Sequence, residues 1–398
     1  MSEHTTYDYP STTPRSLELD PIMREVSEGT GIARLQLPYG EPCWVVTGYH
    51  DARSVYSSKS FDRVGMVQES APRMTTGILV QGAIGSMNER DHVKLRRAIL
   101  RELDEPRMSA LERRASAIMS ELLGRMSNDG GGDYVSQVAV PFSLRVLCEL
   151  MGLPDSDAGM IMRWVQALFT DPSSDDSDPM QALTEIGQYV MALIRNRLDA
   201  PGDDFVSAML GRGDLNKKEI AIAVVSLIFG GFESSATMLS KMVLALLTRP
   251  ELRSELLTDP GRIPGAVEEL LRTISVAGGE GIPWAVREPI TLAGVDMVPG
   301  EFVMPAIGAA NLDPTVFENP EKISFDRAAK SHLAFGHGTH MCLGYQIARM
   351  EMCIGLRSLL QLYPAARLSG RADGIRWNES STIWQLMELP MVLGQIDE

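Results

Sequence analysis

The stretch Phe335-Gly336-His337-Gly338-Thr339-His340-Met341-Cys342-Leu343-Gly344 decides how this chain is read. Glycines at 336, 338 and 344 permit a tight loop whose backbone can come close to a flat ligand. A lone cysteine stands near the end of that loop, and an apolar helical run from 345 to 363 follows at once. A cysteine at a helix N-terminus has its thiolate favoured by the helix dipole and by backbone N–H groups that no carbonyl claims. Taken alone, a cysteine is most often a small buried hydrophobe. In this setting it has what a metal-ligating sulfur needs.

The 398 residues are 44% hydrophobic, enough for a large core. A net charge of −15, from 52 acidic and 37 basic residues, argues against a nucleic-acid partner. No run of 18 apolar residues occurs, and residues 1–19 form a polar lead, so neither a signal peptide nor a membrane anchor is expected. Cys43, Cys148, Cys342 and Cys353 have no paired spacing. Cys353 falls on the same predicted helix as Cys342 but too far along its axis for a disulfide. A reducing, cytoplasmic location fits.

Helical periodicity dominates, so the expected class is mainly α with a minor β portion. Helices are expected over 21–28, 50–58, 89–103, 108–127, 134–151, 157–170, 180–199 and 263–276. The β-like runs 32–37 and 43–47, joined by a Pro-Tyr-Gly-Glu-Pro turn, read as a hairpin, and shorter β runs lie between 281 and 306. Residues 60–88 are irregular and long for a loop, which is usually a functional sign. The longest periodic segment, 216–247, would reach about 48 Å as one helix. Its middle is apolar nearly all round, so it should cross the core. No domain boundary is visible, and residues 20–398 read as one domain.

The cysteine loop resembles the haem-binding loop of the cytochrome P450 family, Phe-Gly-x-Gly-x-His/Arg-x-Cys-x-Gly. Phe335, Gly336, Gly338, His340, Cys342 and Gly344 fill all its fixed positions. The resemblance extends over about residues 20–395. It implies a cytochrome P450 fold, with haem b between the long central helix and the Cys-loop helix and Cys342 as the iron ligand. Asp91-His92-Val-Lys-Leu-Arg96-Arg97 resembles the helix that holds the haem propionates. His92 and Arg96 are i and i+4 on one face, and His340 would complete a set of cationic donors. Where many bacterial members carry an Arg at the start of a β run, this chain has Trp284. Arg287, three residues on, would face the opposite side of an extended strand. The Trp284 indole N–H, or a water, is the expected replacement. Glu269-Leu-Leu-Arg272 matches the family's Glu-x-x-Arg pair, with Arg327 of Phe325-Asp-Arg327 as the partner it implies.

Gly230-Gly231-Phe232-Glu233-Ser234-Ser235 aligns with the family's Ala/Gly-Gly-x-Asp/Glu-Thr-Thr. Two glycines inside a helix cost about 1 kcal/mol each, which room for a ligand, or a packing kink, would offset. Glu233 and Ser234 then match the acid–alcohol pair that delivers protons to dioxygen, serine keeping the hydroxyl of the usual threonine. The implied enzyme is a haem-thiolate monooxygenase. No flavin or iron–sulfur pattern occurs, so electrons from NAD(P)H would arrive through a ferredoxin or flavodoxin and its reductase. Arg96, Arg97, Arg101, Arg113 and Arg349 are candidates for the docking patch.

By the same resemblance the substrate pocket would draw on Val64, Met66, Gln68, Met87, Phe169 and Val225. Phe229, Gly230, Gly278, Gly279, Ile282 and Trp384 complete it. Their mixture suggests a mid-sized, partly polar natural product of secondary metabolism. The alternative is an oxidative coupling enzyme, joining C–C or C–N bonds on an aromatic or indole-bearing, peptide-like substrate such as a cyclodipeptide without inserting oxygen.

Overall fold

The computed structural model of the chain describes residues 5–11, 17–74, 82–169, 179–277, 281–327, 331–378 and 383–394, the side chains of 168, 169 and 179 excepted. Two compact units share the chain, each assembled from separated stretches. The first comprises 1–90, 268–342 and 378–385, and the second 91–267, 343–377 and 386–398.

The first unit is organised on a six-stranded sheet. Its order is Thr6–Asp8, Ile32–Gln36, Cys43–Val46, Phe302–Pro305, Trp284–Val286, Phe61–Asp62. The expected hairpin is present, with Ile32 opposite Val46 and Leu35 opposite Cys43. Thr6–Asp8 lies within the stretch read only as a polar lead, yet it pairs in parallel with residues 34–36. Period-two alternation sends Cys43, Val45, Phe302, Met304 and Ala285 into one apolar cluster. It sends Trp44, Val46, Val303, Trp284 and Val286 into another. With both faces covered, the strands are continuously apolar, as buried strands are. The long segment 60–88 is partly regular. Phe61 pairs with Val286, and a 3-10 turn, Val64–Val67, follows. Gly65 in that turn touches the sheet so closely that a Cβ on it would lie 2.4 Å from the Ala285 methyl.

The second unit is mostly helical. Glu105–Asn128, Val140–Met151, Glu233–Thr248 and Tyr345–Leu362 pack on one another. A π-helical turn, Val135–Ala139, replaces the first part of the helix expected over 134–151. Phe205–Arg212 and Pro250–Thr258 are helices that the periodicity did not announce. The segment 216–247 is two helices rather than one, Lys217–Gly230 and Glu233–Thr248. Asn216 starts the first with a capping box completed by Glu219. The ladder breaks at Gly231 (φ −90°, ψ −18°) and Phe232 (φ −132°, ψ −37°). By length and composition Lys217–Thr248 could cross a membrane, but half of its apolar window is buried inside the protein, as in a core helix.

Candidate active site

The loop 335–342 leans on the helix Tyr49–Ser57. Gly336 and Gly338 hold φ of +71° and +68°, which other residues adopt only with strain. A Cβ on Gly338 would also lie 2.6 Å from the Tyr56 carbonyl oxygen. Arg53 Nε donates to His337 Nε2 at 3.1 Å, and burial together with that cation lowers the His337 pKa. The Cys342 N–H closes the loop on the Phe335 carbonyl at 2.8 Å. Gly344 differs from the other two glycines: its φ is −88° and its α-carbon faces open space. It directly precedes the helix Tyr345–Leu362. Cys342 is exposed, whereas Cys43 and Cys148 are buried and their thiols are pushed up to about 12 by desolvation. Among the described residues no three His, Cys, Asp or Glu side chains gather as a metal site.

Glu269 is the hub of a buried clamp in the first unit. Arg272 donates to both its carboxylate oxygens at 2.8 Å. Arg327 Nε reaches the same oxygens at 2.9 and 3.1 Å, and the Ser324 N–H adds a bond of 3.0 Å. Arg272 then donates to the Asn311 carbonyl at 2.9 Å, and the Asn311 amide oxygen accepts from the Leu333 N–H at 2.6 Å. These bonds connect the helix Ile263–Thr273 to the chain that enters the cysteine loop two residues later. Burial alone would raise the Glu269 pKa, but the guanidinium and backbone donors outweigh it and hold the carboxyl below its usual range.

Trp284 is 3% exposed and its indole N–H meets no acceptor among the described residues. Its ring packs edge-on against His340, centroids 5.2 Å apart, and against Tyr56, 5.8 Å apart. In the second unit, His92 is buried and Arg96 half-buried on the helix Glu89–Arg101. An exposed thiol at a helix start, a buried donor awaiting an acceptor and an imidazole beside it suit a flat metal complex that carries carboxylates. The first-unit residues around Cys342 fit haem, an exposed thiol for the metal with the Trp284 indole N–H and the His340 imidazole as donors for its carboxylates. Arg97, Arg101 and Arg113, expected in a docking patch, are all exposed, and Arg101 is engaged by Asp214.

The helix break in the second unit gives its two glycines different surroundings. Gly230 is exposed and a Cβ on it would meet nothing within 4 Å. At Gly231 a Cβ would lie 2.2 Å from the Leu227 carbonyl and 2.9 Å from a Leu147 methyl. Glu233 and Ser234 are the first two residues of the helix that resumes, where the dipole favours a carboxylate. Sequence reasoning missed Glu351. It lies 1% exposed on Tyr345–Leu362, accepts from Ser143 Oγ at 2.9 Å, and has its carboxyl raised to about 8 by burial. An acidic residue within an apolar helical run was the available signal.

Of the substrate candidates in the first unit, Val64, Gln68 and Ile282 are exposed and Met87 half-buried. Met66 is packed in the sheet's core cluster, and Trp384 is 4% exposed with its backbone N–H on the Val276 carbonyl at 3.2 Å. In the second unit Val225 and Phe229 are half-buried beside Gly230. Gly278, Gly279 and the Phe169 side chain lie outside the described residues.

Comparison with known proteins identifies the family to which this fold and this cysteine loop belong. Residues 263–373 match the profile of the Cytochrome P450 family. Mycinamicin IV hydroxylase/epoxidase of Micromonospora griseorubida is 36% identical over 96% of this chain and 98% of its own length. Nocardicin C N-oxygenase of Nocardia uniformis subsp. tsuyamanensis is 31% identical over 98% of this chain and 100% of its own. The solved structure of cytochrome P450mel with biaryl coupling reactivity superposes with a TM-score of 0.91 at 30% identity, covering 98% of this chain and 100% of that one. The chain belongs to the cytochrome P450 family. It is a bacterial-type monooxygenase that uses haem b, dioxygen and electrons from partner redox proteins. Haem with a thiolate ligand supplies O–O bond cleavage.

Proposed function

We propose that this enzyme inserts one oxygen atom into a mid-sized, partly polar natural product of secondary metabolism, residues 20–398 acting as one catalytic domain. The observation that carries the reading is the helix break at Gly231–Phe232, which leaves Glu233 and Ser234 at the start of the resumed helix. A carboxylate and a hydroxyl there can pass protons to bound dioxygen, which oxygen insertion requires. Relatives named for the hydroxylation of mycinamicin IV and the N-oxygenation of nocardicin C support the substrate class. Cys342 serves as the iron ligand, in a loop that turns at Gly336 and Gly338, closes on the Phe335 carbonyl and passes through Gly344 into the following helix. His92, Arg96 and His340 hold the haem carboxylates, and Glu269, Arg272 and Arg327 fix the chain that leads to the loop. Val64, Gln68, Met87 and Ile282, with Val225, Phe229 and Gly230, are the pocket residues. The electron donor is a ferredoxin or flavodoxin with its reductase, and the enzyme works in the cytoplasm.

A second reading, oxidative coupling of an aromatic or indole-bearing, peptide-like substrate, draws support from the likeness to P450mel with its biaryl coupling reactivity. Turnover under labelled dioxygen separates the two. Label in the product establishes insertion. A dimeric or ring-closed product without label establishes coupling and overturns the first reading.

A further inference from the structure

Arg63 is a buried cation that the surrounding fold leaves without an anion. It follows the strand Phe61–Asp62, leads into the turn Val64–Val67, and is 6% exposed. Burial draws its pKa down to about 10, so it is still charged at neutral pH. Among the described residues no carboxylate pairs with it, and its buried Nε meets no acceptor. Among the described residues, the one titratable side chain whose charge bears on it is Tyr56, and burial raises that phenol's pKa, keeping it neutral. The guanidinium carbon stands 5.5 Å from the centre of the Trp284 ring. A cation–π contact of this kind is weaker than the cost of burying an unpaired ion.

Trp284 brings its own unfilled donor. Its indole N–H is buried without an acceptor, and the ring's other neighbour is His340, two residues before Cys342. One aromatic ring therefore sits between a guanidinium on one strand-and-turn and an imidazole on the cysteine loop. Both buried donors call for an anionic acceptor that the described residues do not supply, and a carboxylate suits a guanidinium fork best. We propose that Arg63, with the Trp284 indole N–H beside it, anchors a carboxylate of the haem. The cation that position 284 lacks is supplied by a different element of the same sheet, with Trp284 as the platform that holds it. A substrate carboxylate has the same chemistry, so the test is made on substrate-free enzyme.

The experiment follows haem transfer from substrate-free holoenzyme to excess apomyoglobin, together with the propionate bending band in the resonance Raman spectrum. Arg63→Gln should speed transfer by about tenfold to a hundredfold, the worth of one charge-assisted hydrogen bond, and shift the band. Arg63→Lys keeps the charge but loses the fork and the ring contact, so its transfer rate should fall between those of the parent and Arg63→Gln. An unchanged transfer rate and band in Arg63→Gln overturns the proposal, as does Arg63→Lys losing haem as fast as Arg63→Gln. So does a change confined to binding of a carboxylate-bearing substrate. Should Arg63→Gln fail to accumulate with haem, Trp284→Phe and Arg63→Lys decide. A band unmoved in both overturns the assignment.

Discussion

Ser143 Oγ donates a 2.9 Å hydrogen bond to Oε2 of Glu351, and both residues are almost wholly removed from solvent. Burial raises the Glu351 pKa to about 8 against the pull of the Ser143 and Ser235 hydroxyls. The folded chain thus binds this proton more tightly than the unfolded chain does. The resulting stability is complete below the ordinary carboxylate range and is lost as pH rises toward 8.

Glu351→Gln removes that dependence. Its melting temperature relative to the parent should climb between about pH 5 and pH 8 and level off above. Thermal unfolding of the holoprotein across that range is the measurement. A constant difference at every pH means that Glu351 does not bind a proton in the fold.

The clamp at Glu269 behaves in the opposite sense. Its pKa is depressed, so its stabilisation is present at neutral pH and is lost as acid protonates the carboxylate. Glu269→Gln leaves Arg272, 2% exposed in its side chain, without its charge partner. Losing one member of a buried pair costs about 3–5 kcal/mol. Denaturant unfolding at neutral pH should show a loss of that order, shrinking at low pH. A loss of only a few tenths of a kcal/mol, the size expected of an exposed pair, counts against the clamp.

Among the four cysteines, only Cys342 should decide the spectrum. Reduced protein with carbon monoxide should show the long-wavelength band of a thiolate ligand, and Cys342→Ser should abolish it. Cys43→Ser and Cys148→Ser, at thiols that burial keeps protonated, should retain it. Persistence of the band in Cys342→Ser removes the ligand assignment.

Ser234→Ala takes away a hydroxyl without changing charge. Product formed per NAD(P)H consumed should fall and hydrogen peroxide should rise, because protons reach dioxygen less selectively. Glu233→Gln should instead slow turnover by about 10²–10⁴-fold, the usual worth of a positioned acid or base. Full coupling in Ser234→Ala would place proton delivery elsewhere.

The hairpin over 32–47 was legible because two apolar runs flank a Pro/Gly turn, and the cysteine loop because its glycines and helix start follow a tight pattern. The break within 216–247 was half legible. The paired glycines announced loosening, but Leu147, which crowds Gly231, comes from a helix distant in sequence. Residues 6–8 look polar and gain their strand only by pairing with residues 34–36. Arg63 gave no signal either. Nothing in Phe61-Asp62-Arg63 says that a sheet will carry it under Trp284. Charge and periodicity report which residues want water, and they do not report which distant ring will exclude it.

The strand Thr6–Asp8 also has a practical meaning for anyone trimming the protein. It covers one margin of the six-stranded sheet, and the two-residue strand Phe61–Asp62 forms the other. Removing the first nineteen residues would bare the backbone donors and acceptors of Ile32–Gln36, a row suited to recruiting another chain. A shortened protein would then self-associate through that margin. Affinity tags are better placed with residues 5–11 kept in full.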